Sequence, residues 1–178
     1  FFRLFAALYN ADEQVGMGTY ELNTDMDYRA LINGMRSSSG NMNADTVRVT
    51  IPEGYTVSQT IALLAKNGVN TEEALLEAAK TADFDYEFID NSSEEISRLE
   101  GYLFPDTYEF YVGHDPEGAL GKLLSNFERK MNEDRLAQVE ASGYSLKEII
   151  TIASLIEKET DGTDQSMIAS VIYNRMDN

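Results

Sequence analysis

The segment from Leu146 to Glu159, Leu-Lys-Glu-Ile-Ile-Thr-Ile-Ala-Ser-Leu-Ile-Glu-Lys-Glu, constrains the fold more than any other. Ser145-Leu146-Lys147-Glu148 has the form of a capping box. In that motif the serine hydroxyl and the glutamate carboxylate satisfy each other's orphan amides and start a helix. Behind this start, Leu146, Ile149, Ile150, Ile152, Ala153, Leu155 and Ile156 run nearly all round the helix. Such a helix is expected in the middle of its domain, because every face gains by leaving water. It closes on Glu157-Lys158-Glu159, which puts two carboxylates at the end of a core helix.

The rest of the pattern is α+β. Val47-Arg48-Val49-Thr50-Ile51 alternates apolar and polar residues, as a half-buried strand does, and Pro52-Glu53-Gly54 stops it. Val57, Ile61, Leu64 and Ala65 mark an amphipathic helix ending near Asn67-Gly68, a left-handed cap. A second helix starts from Thr71, with Glu72 and Glu73 where the helix dipole favours acid. Strand, helix, helix make a small α+β unit over residues 46–82. Upstream, spacing predicts a helix over 2–9, a turn into a short strand over 16–22, a helix over 25–35 and a loop over 37–41. Downstream, 99–111 is dense in aromatics. Residues 117–141 read as one helix striped by Leu120, Leu123, Leu124, Phe127 and Met131, and Ser166 to Met176 as a last one. The acidic, aromatic stretch 83–97 is the candidate boundary between an N-terminal α+β region, 1–97, and a mainly helical region, 98–178.

Composition removes several classes of function. Asp and Glu number 31 against 14 Lys and Arg, a net charge of -17, so the surface repels nucleic acid. The absence of Cys excludes disulfides, thiolate metal sites and a Cys nucleophile. His114, in Gly113-His114-Asp115-Pro116, is the only His and reads as part of a surface loop. One His with no second nearby is a poor metal site, and no strained nucleophile elbow is present. Gly16-Met17-Gly18 lacks the third glycine of a dinucleotide site. No apolar run is long enough to span a bilayer, and no signal peptide is recognisable.

Two places could carry chemistry. Glu157 and Glu159 either both reach water, one of them pairing with Lys158 or Arg175, or one lies at the floor of a cleft. There, desolvation would keep it protonated as a general acid. At about 100° per residue the two lie on opposite flanks of the apolar stripe, and the spacing does not choose between them. The second place is Glu100 to Phe110. Its aromatic faces suit sugar rings and its carboxylates suit sugar hydroxyls; alternatively it builds a strand and a turn at Pro105-Asp106.

Five blocks then resemble, in order, the signatures of the endolytic murein transglycosylases, the YceG-like family. They are Gly18-Thr19-Tyr20-Glu21-Leu22; Val47 to Gly54; Leu99-Glu100-Gly101-Tyr102-Leu103-Phe104-Pro105-Asp106-Thr107-Tyr108; Ala153 to Thr160; and Ala169-Ser170-Val171-Ile172-Tyr173-Asn174-Arg175. The resemblance covers nearly the whole chain. It implies a small LysM-like α+β module (about 46–82) followed by a mainly helical, lysozyme-like part of a catalytic domain. The activity it implies is cleavage of the β-1,4 bond between N-acetylmuramic acid and N-acetylglucosamine in nascent glycan strands, leaving 1,6-anhydro ends. No metal or organic cofactor is implied. Peptidoglycan synthases (penicillin-binding proteins) are the implied partners. The implied setting is the extracytoplasmic side of a bacterial membrane, behind a single-pass anchor.

Residue by residue, Glu159, in Glu159-Thr160, matches the family's catalytic Glu, with Glu157 as the runner-up. Glu100, Tyr108 and Asn174 are expected to bind substrate, and Asn174 and Arg175 to line or brace the cleft. One essential carboxylate suits this reaction, because the sugar's own C6 hydroxyl is the nucleophile. Two other readings compete: a non-catalytic wall-binding or scaffold module, and a hydrolytic muramidase needing a second acid such as Glu100 or Asp106. The family continues past Tyr173-Asn174-Arg175 with further polar motifs. Both ends are therefore expected to be fragment ends, with the anchor and the rest of the catalytic domain outside this chain and its activity impaired.

Overall fold

The computed structural model describes residues 46–159 and 162–176. The elements expected over 2–9, 16–22, 25–35 and 37–41 lie outside the described residues.

Strand β1 (Thr46–Thr50) pairs antiparallel with a second strand, β2 (Thr107–Tyr111), in the register Thr46↔Tyr111 to Thr50↔Thr107. Between them run helices α1 (Val57–Lys66) and α2 (Glu72–Thr81) and a turn of 3-10 helix at Ile96–Leu99. The caps follow the sequence. Thr56 Oγ1 accepts from Gln59 N at 3.2 Å while Thr56 N donates to Gln59 Oε1 at 2.9 Å, closing a capping box on α1. Gly68, at φ +77°, ends that helix as expected, and Thr71 caps α2 by accepting from Ala74 N at 3.3 Å.

The unit is thus strand, helix, helix, strand, and it takes one strand from each side of the boundary expected at residue 97. A lone strand would leave its backbone N–H and C=O groups without partners, and β2 supplies them. One core cluster runs from Val49 through Ile61, Leu64, Leu75, Phe84, Ile89 and Leu99 to Phe127, so no division of packing falls at residue 97. The stretch 83–97 is tied into that core by Arg98. Its guanidinium donates to Ala79 O (2.8 Å), Asn91 Oδ1 (3.0 Å) and Ala82 O, and lies over the Phe84 ring. Beside it Phe127 meets Phe88 and Tyr102 edge-to-face, and those two rings tilt against each other.

The single helix expected over 117–141 is two, α3 (Pro116–Lys130) and α4 (Glu133–Ser142). Asn132 breaks it, because its side chain accepts from Arg135 N at 3.0 Å and starts a new helix. Helices α5 (Leu146–Glu159) and α6 (Gln165–Met176) complete the described chain and pack on each other. The capping box at the start of α5 forms as expected: Ser145 N donates to Glu148 Oε2 at 2.8 Å and Glu148 N to Ser145 Oγ at 3.3 Å.

Burial of α5 differs from expectation. Ile152 is its one buried side chain, and Leu155 is 49% exposed. One face, through Leu146 and Ile150, meets the core, and another meets α6. Ile149 and Ile156 are half-buried, and Ala153 and Leu155 are exposed. No helix among the described residues is long and apolar enough to cross a membrane.

Candidate active site

Helix α5 presents its two carboxylates to different surroundings. Glu159 lines a groove of about 570 Å³ with Leu155 and, from α6, Met167, Ile168, Val171, Ile172 and Arg175. Glu157 lines a separate cavity of about 360 Å³ with Ala153, Ile156, Gln165, Ser166 and Ala169. The Cγ of Glu157 also lies 3.9 Å from where a side chain on Gly54 would begin. Two residues at about 100° each turn the side chains to nearly opposite sides of the helix, which is why they part.

Of the other expected site residues, Arg175 joins Glu159 in the groove, and Glu100, Tyr108 and Asn174 do not line it. Glu100 Oε2 accepts from Val57 N at 3.2 Å, satisfying an orphan amide at the start of α1. It lines a different cavity, of about 320 Å³, with Phe88, Tyr102, Lys147, Ile150 and Ser154 among its walls. Tyr108 lines neither the groove nor this cavity. It is buried on β2, where its hydroxyl donates to Phe104 O at 2.6 Å and accepts from Asn126 Nδ2 at 2.9 Å. Burial raises the Tyr108 pKa. Asn174 is exposed on the last turn of α6, next to Arg175.

Asp106 is committed to structure. Oδ1 accepts from Thr107 N at 2.8 Å and Oδ2 from Asn126 Nδ2 at 3.1 Å. The Thr107 amide, and then Asn126, hold its carboxyl below the usual range.

His114 departs from the expected surface loop: it is 1% exposed. Its ring stacks on Tyr111 at 5.9 Å and 10° and meets Phe110 edge-on at 5.7 Å. The flanking Gly-His-Asp-Pro composition hides that burial. The apolar wall that α6 gives the groove also escapes sequence reading, since its apolar residues follow no single stripe. Among the described residues no group of three or more His, Asp or Glu is placed to hold a metal ion. A carboxylate in a groove walled by apolar side chains, with a guanidinium-bearing residue in the same lining, suits proton transfer to a polar ligand laid along the α5–α6 seam.

The whole chain, residues 1–178, matches the YceG-like family. It is 30% identical over 175 residues to the endolytic murein transglycosylase of Bacillus subtilis strain 168, across 89% of this chain and 46% of that protein. It is 28% identical over 191 residues to the endolytic murein transglycosylase of Streptococcus pneumoniae serotype 2, across 97% of this chain and 34% of that protein. The chain therefore spans less than half the length of these curated relatives. A crystal structure of a YceG-like protein from Listeria monocytogenes is similar with a TM-score of 0.57 and 26% identity, over 98% of this chain and 60% of that one. The mixed α+β architecture agrees with that likeness.

Proposed function

Because this chain belongs to the YceG-like family, we propose that it carries the acid–base carboxylate of an endolytic murein transglycosylase, and that this carboxylate is Glu159. The observation that carries the choice is the parting of the two acids of α5: Glu159 shares the larger groove with Arg175 and an apolar wall of α6, while Glu157 lines a smaller cavity at the start of α6 and approaches Gly54. In the proposed reaction Glu159 protonates the oxygen that bridges N-acetylmuramic acid to N-acetylglucosamine as the C1–O bond breaks. The resulting carboxylate then takes the proton of the C6 hydroxyl as O6 bonds to C1. The proton passes from O6 to the leaving oxygen, no water is consumed, and the product is a 1,6-anhydro end. Holding nucleophile and electrophile in one sugar supplies a high effective concentration.

A hydrolytic muramidase needs a second carboxyl about 5–9.5 Å from the first. The two acids considered for it, Glu100 and Asp106, are already engaged by the Val57, Thr107 and Asn126 N–H groups, and neither lines the Glu159 groove. This favours the lytic reaction. The family's polar motifs beyond Tyr173-Asn174-Arg175 are part of the same proposal, completing the cleft over the exposed Leu155, Met167 and Val171. So are an extracytoplasmic setting, a single-pass anchor and work beside peptidoglycan synthases; family membership is what supports them.

Cleavage of uncrosslinked glycan strands by separate Glu159→Gln and Glu157→Gln variants of the full-length protein tests the assignment. Loss with the first and retention with the second are expected; the reverse pattern overturns it.

A further inference from the structure

Gly101 brings the backbone of the strand–helix–helix–strand module against α5. It follows the 3-10 turn in a left-handed conformation, φ +84°, with Tyr102 N donating to Leu99 O at 3.1 Å. A methyl group placed on Gly101 would overlap Cγ2 of Ile150 and stand 3.8 Å from its Cβ. Neither side can easily retreat. Leu99 and Tyr102 are buried, and Glu100 is bonded to the start of α1. On the other side Leu146 and Ile150 pack against the core, and the Ser145–Glu148 box fixes where the helix begins.

A second, looser contact lies further along the helix, where a side chain on Gly54 would begin 3.9 Å from Glu157 Cγ. Gly54 is in the β1–α1 loop, and Glu157 is seven residues along α5 from Ile150. At about 100° per residue, Ile150 and Glu157 lie on one side of the helix. One face of α5 therefore rests across two glycine-bearing loops of the module, and Glu159 faces away from that seat.

We propose that Gly101 is a positioning residue for strand cleavage: its missing side chain forms the notch that receives Ile150 and so sets where the Glu159 end of α5 lies. This rests on the reading of Glu159 as the acid–base group. The helix acts as a lever. With a rise of about 1.5 Å per residue, Ile150 is about 7 Å and Glu159 about 21 Å from Ser145. A displacement on the order of 1 Å at the notch becomes roughly 3 Å at Glu159, and a misplacement of about 1 Å can already cost on the order of a hundredfold in rate.

The chain has no Cys, so spin labels at Lys66→Cys and Lys158→Cys report the placement of α5 on the module. In the full-length protein, Gly101→Ala is expected to shift that distance by roughly 3 Å and lower kcat about a hundredfold, with KM little changed. Ile150→Phe fills the notch from the other side without altering φ at residue 101, and is expected to do the same. Gly101→Ala combined with Ile150→Ala is expected to restore both readouts. If the double variant restores neither, backbone strain at residue 101 is the cause and the proposal falls. It also falls if kcat drops with the distance unchanged, or holds with the distance shifted. Full cleavage by Glu159→Gln would instead sink the underlying reading while leaving the label distances as they are.

Discussion

Val49 and Tyr108 stand opposite each other in the two-stranded ladder, both buried, so β1 is closed into the core by a strand from the far side of the acidic stretch 83–97. Tyr108 does this with its ring and its hydroxyl together. Tyr108→Phe keeps the ring but leaves Phe104 O and Asn126 Nδ2 without that partner. The expected loss is about 1–3 kcal/mol of stability by urea unfolding, with glycan cleavage retained once the protein is folded. Cleavage lost at unchanged stability would instead make Tyr108 a substrate contact.

Arg98 does for the 83–97 stretch what β2 does for β1. Its three acceptors come from the end of α2 and from Asn91, and its residue is 8% exposed. Arg98→Met removes all three donors from a buried setting and is expected to cost about 2–4 kcal/mol. Arg98→Lys is expected to recover only part, because a compact ammonium cannot reproduce the planar fork. A urea midpoint unchanged in Arg98→Met would show that the clamp contributes nothing.

Acid should loosen the fold through carboxylates held ionised by hydrogen bonds. Asp106 is lowered by the Thr107 amide and then Asn126, and Glu148 by the Ser145 hydroxyl and amide. Their unfolded reference values are about 3.9 for Asp and 4.3 for Glu. Below those values the unfolded chain binds more protons than the folded one. The stability these groups contribute is therefore present above the reference values and lost as pH falls through the lower folded ones. Asp106→Asn is expected to flatten the fall of melting temperature between about pH 5 and pH 2. A wild-type and variant pair falling in parallel would contradict this.

What sequence could show was local. The Thr56 and Thr71 caps, the Gly68 stop and the Ser145–Glu148 box all announce themselves within a few residues, because capping is a short-range exchange of hydrogen bonds. Three features were not local. Nothing near Val49 names Tyr108 as its partner, since strand pairing over a long loop leaves no neighbouring signal. Gly113-His114-Asp115-Pro116 reads as a surface loop, yet the aromatic rings of β2 pack on His114, which is buried. The α5 sequence shows that its faces are apolar without showing what covers them, so it predicts Leu155 inside, where the structure leaves it half exposed. At the proposed site, the choice of Glu159 starts from a family motif, Glu159-Thr160. The notch at Gly101 was not legible, because it depends on which helix comes to rest there.

The most direct test of the central claim is the chemistry of the new strand ends. Uncrosslinked glycan strands are incubated with the full-length protein and with its Glu159→Gln variant, and the products are identified by mass spectrometry. Anhydro ends from the native protein and none from the variant are expected. Reducing ends would contradict the lytic mechanism, and equal yields from both proteins would contradict the role of Glu159.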